Sequence, residues 1–233
     1  MTRVLLKLSG EALMGASPFG IDLPTTREYA REIAECARDG ASIAIVVGGG
    51  NIFRGMAGAA KGMDRASADY MGMLATVMNS LAVAQALRDA GVAARPMSAI
   101  PMESICETYT RYRADEYLKS GEIVVLGGGT GSPFFTTDST AALRAAELGC
   151  SAILKATQVD GVYDSDPKTN PAATRFETLT YGEVLARDLR VMDSAAIALA
   201  RDSGIPIIVF DIHRDGALAD VLAGRGRFTR VAG

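Results

Sequence analysis

Short, almost wholly apolar segments recur along this chain, and four of them run into glycine or lysine. Residues 4–8 lead to Lys7-Leu8-Ser9-Gly10, and residues 43–47 to Gly48-Gly49-Gly50-Asn51. Residues 123–126 lead to Gly127-Gly128-Gly129-Thr130-Gly131, and residues 152–154 to Lys155-Ala156-Thr157. A fifth apolar run covers 205–210. Stretches with helical spacing lie between them: Tyr29, Ile33, Ala34, Ala37; Tyr70, Met73, Leu74, Val77, Met78, Leu81; and Met192, Ala195, Ala196, Leu199, Ala200. Apolar strands alternating with helices predict an α/β fold, a three-layer αβα sandwich around a mostly parallel sheet. Such a sheet gathers its strand ends on one edge, where ligands bind. Glycine lets backbone N–H groups approach an anion closely, and a following helix N-terminus adds a favourable dipole. Glycine turns and lysines on one edge make a polyphosphate site.

The 233 residues read as a single domain, with no repeat or linker. The net charge of −3 and the scattered basic residues argue against nucleic-acid binding. The N-terminal apolar run meets Lys7 at once, too short for an export signal or a membrane span. Cys36, Cys106 and Cys150 form no CxxC pair and read as buried reduced thiols, in keeping with a cytoplasmic protein.

The common phosphate fingerprints are missing. No GxxxxGK[ST] occurs, and neither glycine cluster spells GxGxxG, because Phe53 and Phe134 stand at the third-glycine positions. Lys7 is either a lysine snorkelling from a strand end or a cation that reaches transferring phosphates. Arg54 is either an ordinary surface arginine or a fork placed beside a glycine nest. Asp138 precedes the apolar run 141–148 as a first-turn helix acid, or else it orients catalytic cations. Asp69 opens a helical stretch as a first-turn acid, or it accepts sugar hydroxyls. Asp160-Gly161 and Asp164-Ser165-Asp166-Pro167 are turn chemistry that could also wrap a nucleotide. His213 is the sole histidine, a surface or cap residue, so there is no case for a zinc cluster. Met71, Met73 and Met78 read as core filling. Together these features favour phosphoryl transfer without a P-loop, a chemistry that asks mainly for positioning and positive charge.

The same motifs, in this order, resemble the amino acid kinase superfamily and specifically its bacterial UMP kinase branch. KLSGEAL from Lys7, VVGGGNIFRG over 46–55, DYMGMLATVMN over 69–79 and MSAIP over 97–101 carry the likeness through the first half. GTGSPFFTTDS over 129–139, KATQVDGVYDSDP over 155–167 and the stretch 181–201 continue it. The resemblance implies an ATP-dependent kinase acting on UMP, with Mg2+ carried by ATP. It places Lys7, Leu8, Ser9, Gly10, Gly50 and Arg54 against the ATP phosphates, and Thr157, Tyr163 and Asp166 along its base and ribose. Gly49, Asp69, Thr130, Gly131, Ser132, Pro133, Phe134, Phe135, Thr136 and Thr137 would hold UMP. Lys7, Arg54, Asp138 and Lys155 would be the catalytic group. A UMP-binding lobe over roughly 1–150, an ATP-binding lobe over roughly 151–233, and a homohexamer activated by GTP and inhibited by UTP are further implications. Gly15, Gly20 and Arg95 fit the effector pattern, whereas Glu122 stands where a basic residue is expected. Ser132 stands where relatives commonly carry asparagine. The rival readings are a sister kinase that makes an acyl phosphate and an idle, uridylate-sensing regulator. The long segment 130–137 argues against the first, and retention of Lys7, Arg54 and Asp138 against the second.

Overall fold

A computed structural model describes residues 2–54, 62–189 and 191–233; Gly55 of the glycine-rich motif and Arg190 lie outside them. One nine-stranded sheet runs through the molecule. Its strands are β1 (Arg3–Leu8), β2 (Ser42–Val47), β3 (Ala94–Ser98), β4 (Glu107–Thr108), β5 (Ile123–Gly127), β6 (Ile153–Thr157), β7 (Thr178–Leu179), β8 (Ile207–Asp211) and β9 (Phe228–Val231). Their spatial order is β4-β3-β5-β2-β1-β6-β8-β9-β7. From β4 to β8 all neighbours are parallel, and β9 turns back antiparallel against β8. The chain moves from β1 to one side through β2, β3 and β5, then returns to the other side with β6. β1 therefore marks the reversal where such sheets open a crevice.

Among the described residues the helices are α1 (Leu23–Arg38), α2 (Arg65–Asp89), α3 (Arg111–Lys119), α4 (Thr137–Glu147), α5 (Tyr181–Ala186), α6 (Ser194–Asp202) and α7 (Ala217–Leu222), with a 3-10 turn at Gly10–Met14. Most start with a side-chain cap. Asp22, Asp64, Thr110, Thr136, Thr180 and Asp193 each accept a first-turn N–H, and Thr180 with Glu183 completes a capping box. Side chains alternate across the sheet. Leu6, Leu8, Ile45 and Leu154 face α1, α2 and α7, while Leu5, Val46, Val124 and Ile153 face α3 to α6. The two apolar layers are the expected sandwich around one continuous sheet.

The five predicted strands form, with ends moved by up to three residues; β6 extends through Lys155 to Thr157. β3, with Arg95 and Pro96 in its middle, the two-residue β4 and β7, and β9, with Thr229 and Arg230 in its middle, carry no apolar run that would mark them in the sequence. The reading of three methionines as core filling needs correction. Met73 is buried, but Met71 and Met78 are exposed, together with Tyr70 and Leu74. Helix α2 buries Ala68, Met73, Thr76, Asn79, Val83 and Leu87 on one side and leaves a second apolar face uncovered. Its length and composition would suffice to cross a membrane, yet 56% of its most apolar window is buried, as in a core helix.

Leu6 is fully buried in the layer beneath α1. Leu6→Ala is expected to cost about 2–5 kcal/mol through lost contacts and the cavity left behind. The check is the urea midpoint, and an unshifted midpoint would contradict this packing.

Candidate active site

β1 and β6 are neighbours in a register that places Lys7 directly beside Lys155. Both residues share the parity of Leu5 and Ile153, so both ammonium groups enter the layer of α4. Like charges side by side in a sheet repel, and burial makes each more expensive. Asp138, in the first turn of α4, lies between them. Its Oδ1 is 2.9 Å from Lys7 Nζ and its Oδ2 is 2.9 Å from Lys155 Nζ. α4 reaches this point because it crosses the sheet above β1, β2 and β6 on its way from β5. Thr136 caps it, accepting from the N–H groups of Asp138 and Ser139 at 3.0 and 3.2 Å. Burial pushes the Asp138 carboxyl up, but the fields of Lys7 and Lys155 outweigh it and hold the group below the ordinary aspartate value. At Lys155 burial wins: its ammonium is held below the usual lysine value despite Asp138, and Lys7 adds to the lowering. Lys155 also donates to the Val191 carbonyl.

Beside this trio lies a cleft of about 650 Å3, lined by Gly49, Gly50, Phe53, Arg65, Asp69, Gly72, Met73, Thr76, Gly129, Phe135, Thr136 and Thr137. The Gly48–Gly50 turn fits here only without side chains. A Cβ on Gly49 would come within 2.7 Å of the Gly72 carbonyl of α2, and one on Gly10 within 2.8 Å of the Gly48 carbonyl. Among the described residues the N–H groups of Gly49 and Gly50 donate to no backbone or side-chain acceptor, leaving two donors for an anion. Arg54 stands exposed at the rim, donating to the Gly50 carbonyl at 3.2 Å and pairing with Glu11. Asp69 accepts two bonds from Arg65 Nε, at 3.0 and 2.8 Å, and one from the Phe134 N–H at 2.8 Å. Phe134 has φ 73°, a conformation an L side chain rarely adopts. The Asp69 bond holds it there, next to the cleft-lining Phe135, Thr136 and Thr137.

These positions sort the predicted residues. Lys7, Asp138 and Lys155 come together, and Gly49, Gly50, Asp69, Phe135, Thr136 and Thr137 share one cleft. Thr130, Gly131, Ser132 and Pro133 do not line it. Thr130 and Ser132 bond each other, and Gly131 N–H bonds the Gly128 carbonyl at 3.0 Å. Leu8 is fully buried beneath the edge, and Ser9 caps the 3-10 turn that Gly10 begins. Tyr163 lines a second groove of about 950 Å3 with Gln158, Asp160, Lys168, Arg214 and Arg227. Thr157 and Asp166 lie outside that groove's lining: the Thr157 hydroxyl is engaged with the Val159 and Phe210 carbonyls, and Asp166 accepts from Lys168 N–H. Gly15, Gly20 and Arg95 are not gathered. Gly15 lines a cavity with Tyr29 and His213, Gly20 bonds Asn51, and Arg95 pairs with Glu122 at 2.6 Å.

Two expectations change. Asp69 is a second-turn residue of α2, not a first-turn acid, because Asp64 caps that helix and Arg65 begins it. Among the described residues, 51–54, which follow Gly50, form no helix. Arg65, Thr76 and Gly129 line the cleft unpredicted; only the spacing of Arg65, Asp69 and Thr76 along one helix could have disclosed two of them. All three cysteines are buried free thiols, with burial pushing Cys36 up to about 11 and Cys150 to about 12. Among the described residues no three His, Cys, Asp or Glu groups converge to hold a metal ion.

A mostly parallel sheet with a carboxylate-bridged lysine pair and a glycine-lined cleft on its C-terminal edge defines a phosphotransferase that works without a P-loop. Residues 2–211 match the amino acid kinase family. The uridylate kinase of Hyphomonas neptunium is 58% identical over 98% of this chain and 91% of its own length. That of Erythrobacter litoralis is 59% identical over 99% of this chain and 97% of its own. The crystal structure of UMP kinase from Ureaplasma parvum superposes with a TM-score of 0.94 at 38% identity, covering 100% of this chain and 99% of that one. The chain belongs to the amino acid kinase family, among its uridylate kinases.

Removing the charge of Asp138 leaves two buried ammonium groups facing each other. Asp138→Asn is expected to destabilise the fold by about 3–5 kcal/mol. Because the folded carboxyl is lowered, its contribution is complete above the ordinary value of 3.8 and disappears as pH falls through the folded value. Urea titrations of both proteins should therefore differ fully near neutrality and converge in acid. A gap that stays constant into acid would disprove the assignment.

Proposed function

We propose that this protein transfers the terminal phosphoryl group of ATP to UMP, giving ADP and UDP in pyrimidine nucleotide synthesis. The observation that carries this reading is the Lys7–Asp138–Lys155 bridge on the sheet edge, adjoining a cleft that ends at Asp69. The UMP phosphate lies against the Gly49 and Gly50 N–H groups, and Asp69 takes the ribose hydroxyls. ATP lies over the edge of β1 and β6, its base and ribose in the groove of Tyr163. Thr157 and Asp166 act at that groove from behind. The cleft lining runs from Gly49 to Thr137 and the groove lining from Gln158 to Arg227, which supports a UMP lobe over roughly 1–150 and an ATP lobe over roughly 151–233.

The reaction forms a bond from a UMP phosphate oxygen to the γ-phosphorus and breaks the bond from that phosphorus to the bridging oxygen of ADP. The attacking oxygen carries no proton that must be removed, so a general base is unnecessary. Charge spreads over the equatorial oxygens of the transferring group. Lys7 and Arg54 stabilise it, Arg54 exchanging Glu11 for phosphate. Asp138 is spent on the two lysines and fixes their spacing. Among the described residues no carboxylate cage is built for a metal, so Mg2+ would arrive as a passenger on ATP and would neutralise phosphate charge there.

The family likeness further supports a cytoplasmic homohexamer activated by GTP and inhibited by UTP, with Gly15, Gly20 and Arg95 in the effector response. The uncovered face of α2, with Tyr70, Met71, Leu74 and Met78, supports assembly.

ADP release measured with ATP, Mg2+ and each nucleoside monophosphate, beside carbamate and glutamate derivatives, should be confined to UMP. Hydroxylamine-trappable product from a carboxylate would move the chain to a sister activity. Lys7→Ala should lower turnover about 10²-fold, the scale of losing one donor to transition-state charge. Its UMP affinity should change little, and wild-type turnover would remove Lys7 from the mechanism. Asp69→Asn should weaken UMP binding, and unchanged affinity in calorimetry would overturn the ribose contact.

A further inference from the structure

Behind the glycine turn lie two asparagines that line neither the cleft nor the Tyr163 groove and yet spend all four amide hydrogens on each other and on the backbone around the turn. Asn79 is completely buried in the interior of α2, and Asn51 is 2% exposed. Asn79 Nδ2 donates to the Gly48 carbonyl at 2.6 Å and to Asn51 Oδ1 at 2.7 Å. Asn51 Nδ2 donates to Asn79 Oδ1 at 3.1 Å and to the Gly20 carbonyl at 2.8 Å. Gly20 returns the contact through its own N–H, 2.8 Å from the Asn51 carbonyl. A primary amide has two donor hydrogens, so all four are satisfied. A buried helix position needs no amide for packing, and polar groups placed there are costly unless every bond is made.

The arrangement has a specific object. Gly48 has no side chain by which neighbouring residues could fix its peptide plane; its carbonyl is the available handle, and Asn79 holds it. The peptide that follows carries the first N–H offered to the cleft. The Gly10 backbone closes in from the other side, so the turn is gripped between the 3-10 segment and α2.

We propose that Asn79 and Asn51 are positioning residues for phosphoryl transfer: they set the peptide planes of the Gly48–Gly50 turn and tie them to Gly20. The inference rests on the UMP kinase reading, and wild-type turnover tests that reading separately. The pair touches no substrate. Its effect is on the phosphate alone, because Asp69 and the 130–137 segment hold the nucleoside independently of it.

The test is Asn79→Leu, which keeps volume and removes all three of the side chain's hydrogen bonds. With the thermal midpoint and far-UV spectrum establishing that the variant is folded, turnover with UMP should fall about 10- to 100-fold, the scale of a slight misplacement of reacting groups. The ratio of UMP to uridine affinity, measured by calorimetry on both proteins, should fall with it while uridine affinity is retained. A general loosening of the fold would weaken both ligands alike. If Asn79→Leu does not fold, Asn51→Ser, a loop position whose shorter side chain reaches neither Asn79 nor Gly20, takes the same measurements. A folded variant with unchanged turnover, or with UMP and uridine weakened equally, overturns the proposal. Absence of UMP turnover in the wild type instead removes the reading on which it stands.

Discussion

Two ammonium groups and one carboxylate, buried together where β1 meets β6, organise most of what surrounds them. A lysine can point into a helix-covered layer only if its charge is met there, and adjacent lysines double the requirement. One acid must therefore arrive from the covering layer at the height of the strand ends. That demand fixes where α4 starts, and through its cap it fixes the end of the 130–137 segment as well. Thr136 both caps α4 and donates to Asp193, which in turn caps α6. The charged centre thus holds the end of the 130–137 segment and the helix packed beside it in one hydrogen-bonded chain.

The two cavities lie on either side of this centre and differ in kind. The cleft near Asp69 is lined by bare backbone at Gly49, Gly72 and Gly129, suited to close contact with an anion. The groove near Tyr163 is lined by Lys168, Arg214 and Arg227 with Asp160 and Asp211, a strongly charged surface. A donor and an acceptor approaching from these two sides would meet at the lysines. The relative placement comes from the strand order, because β1 is where the chain changes direction across the sheet.

Much of this was legible in the residues. Apolar runs ending in glycine or lysine identified the central strands, the edge and the polyphosphate chemistry, because parallel strands must be apolar on both faces and ligand contacts collect at their ends. What stayed hidden depended on long-range geometry. Nothing local relates Lys7 to Lys155, which are neighbours only through strand register. The asparagine pair was within motifs that could be quoted but not interpreted, since an amide between residues 51 and 79 has no sequence periodicity. Short strands such as β4 and β7 exist because the sheet offers them an edge. Met71 and Met78 were misjudged because apolar spacing reveals that a helix has an apolar face, but not how many such faces one chain can cover.

The contact between Gly49 and Gly72 has a mechanical consequence. Elsewhere in a protein two elements are spaced by side chains that can change rotamer, so the gap between them breathes. Here the Gly72 carbonyl of α2 approaches the turn so closely that a single methyl would collide with it. The mouth of the cleft is thereby gauged by main chain against main chain, a hard stop with no compressible spacer. Its width is a property of covalent geometry and varies little with temperature or with whatever side chains evolve around it.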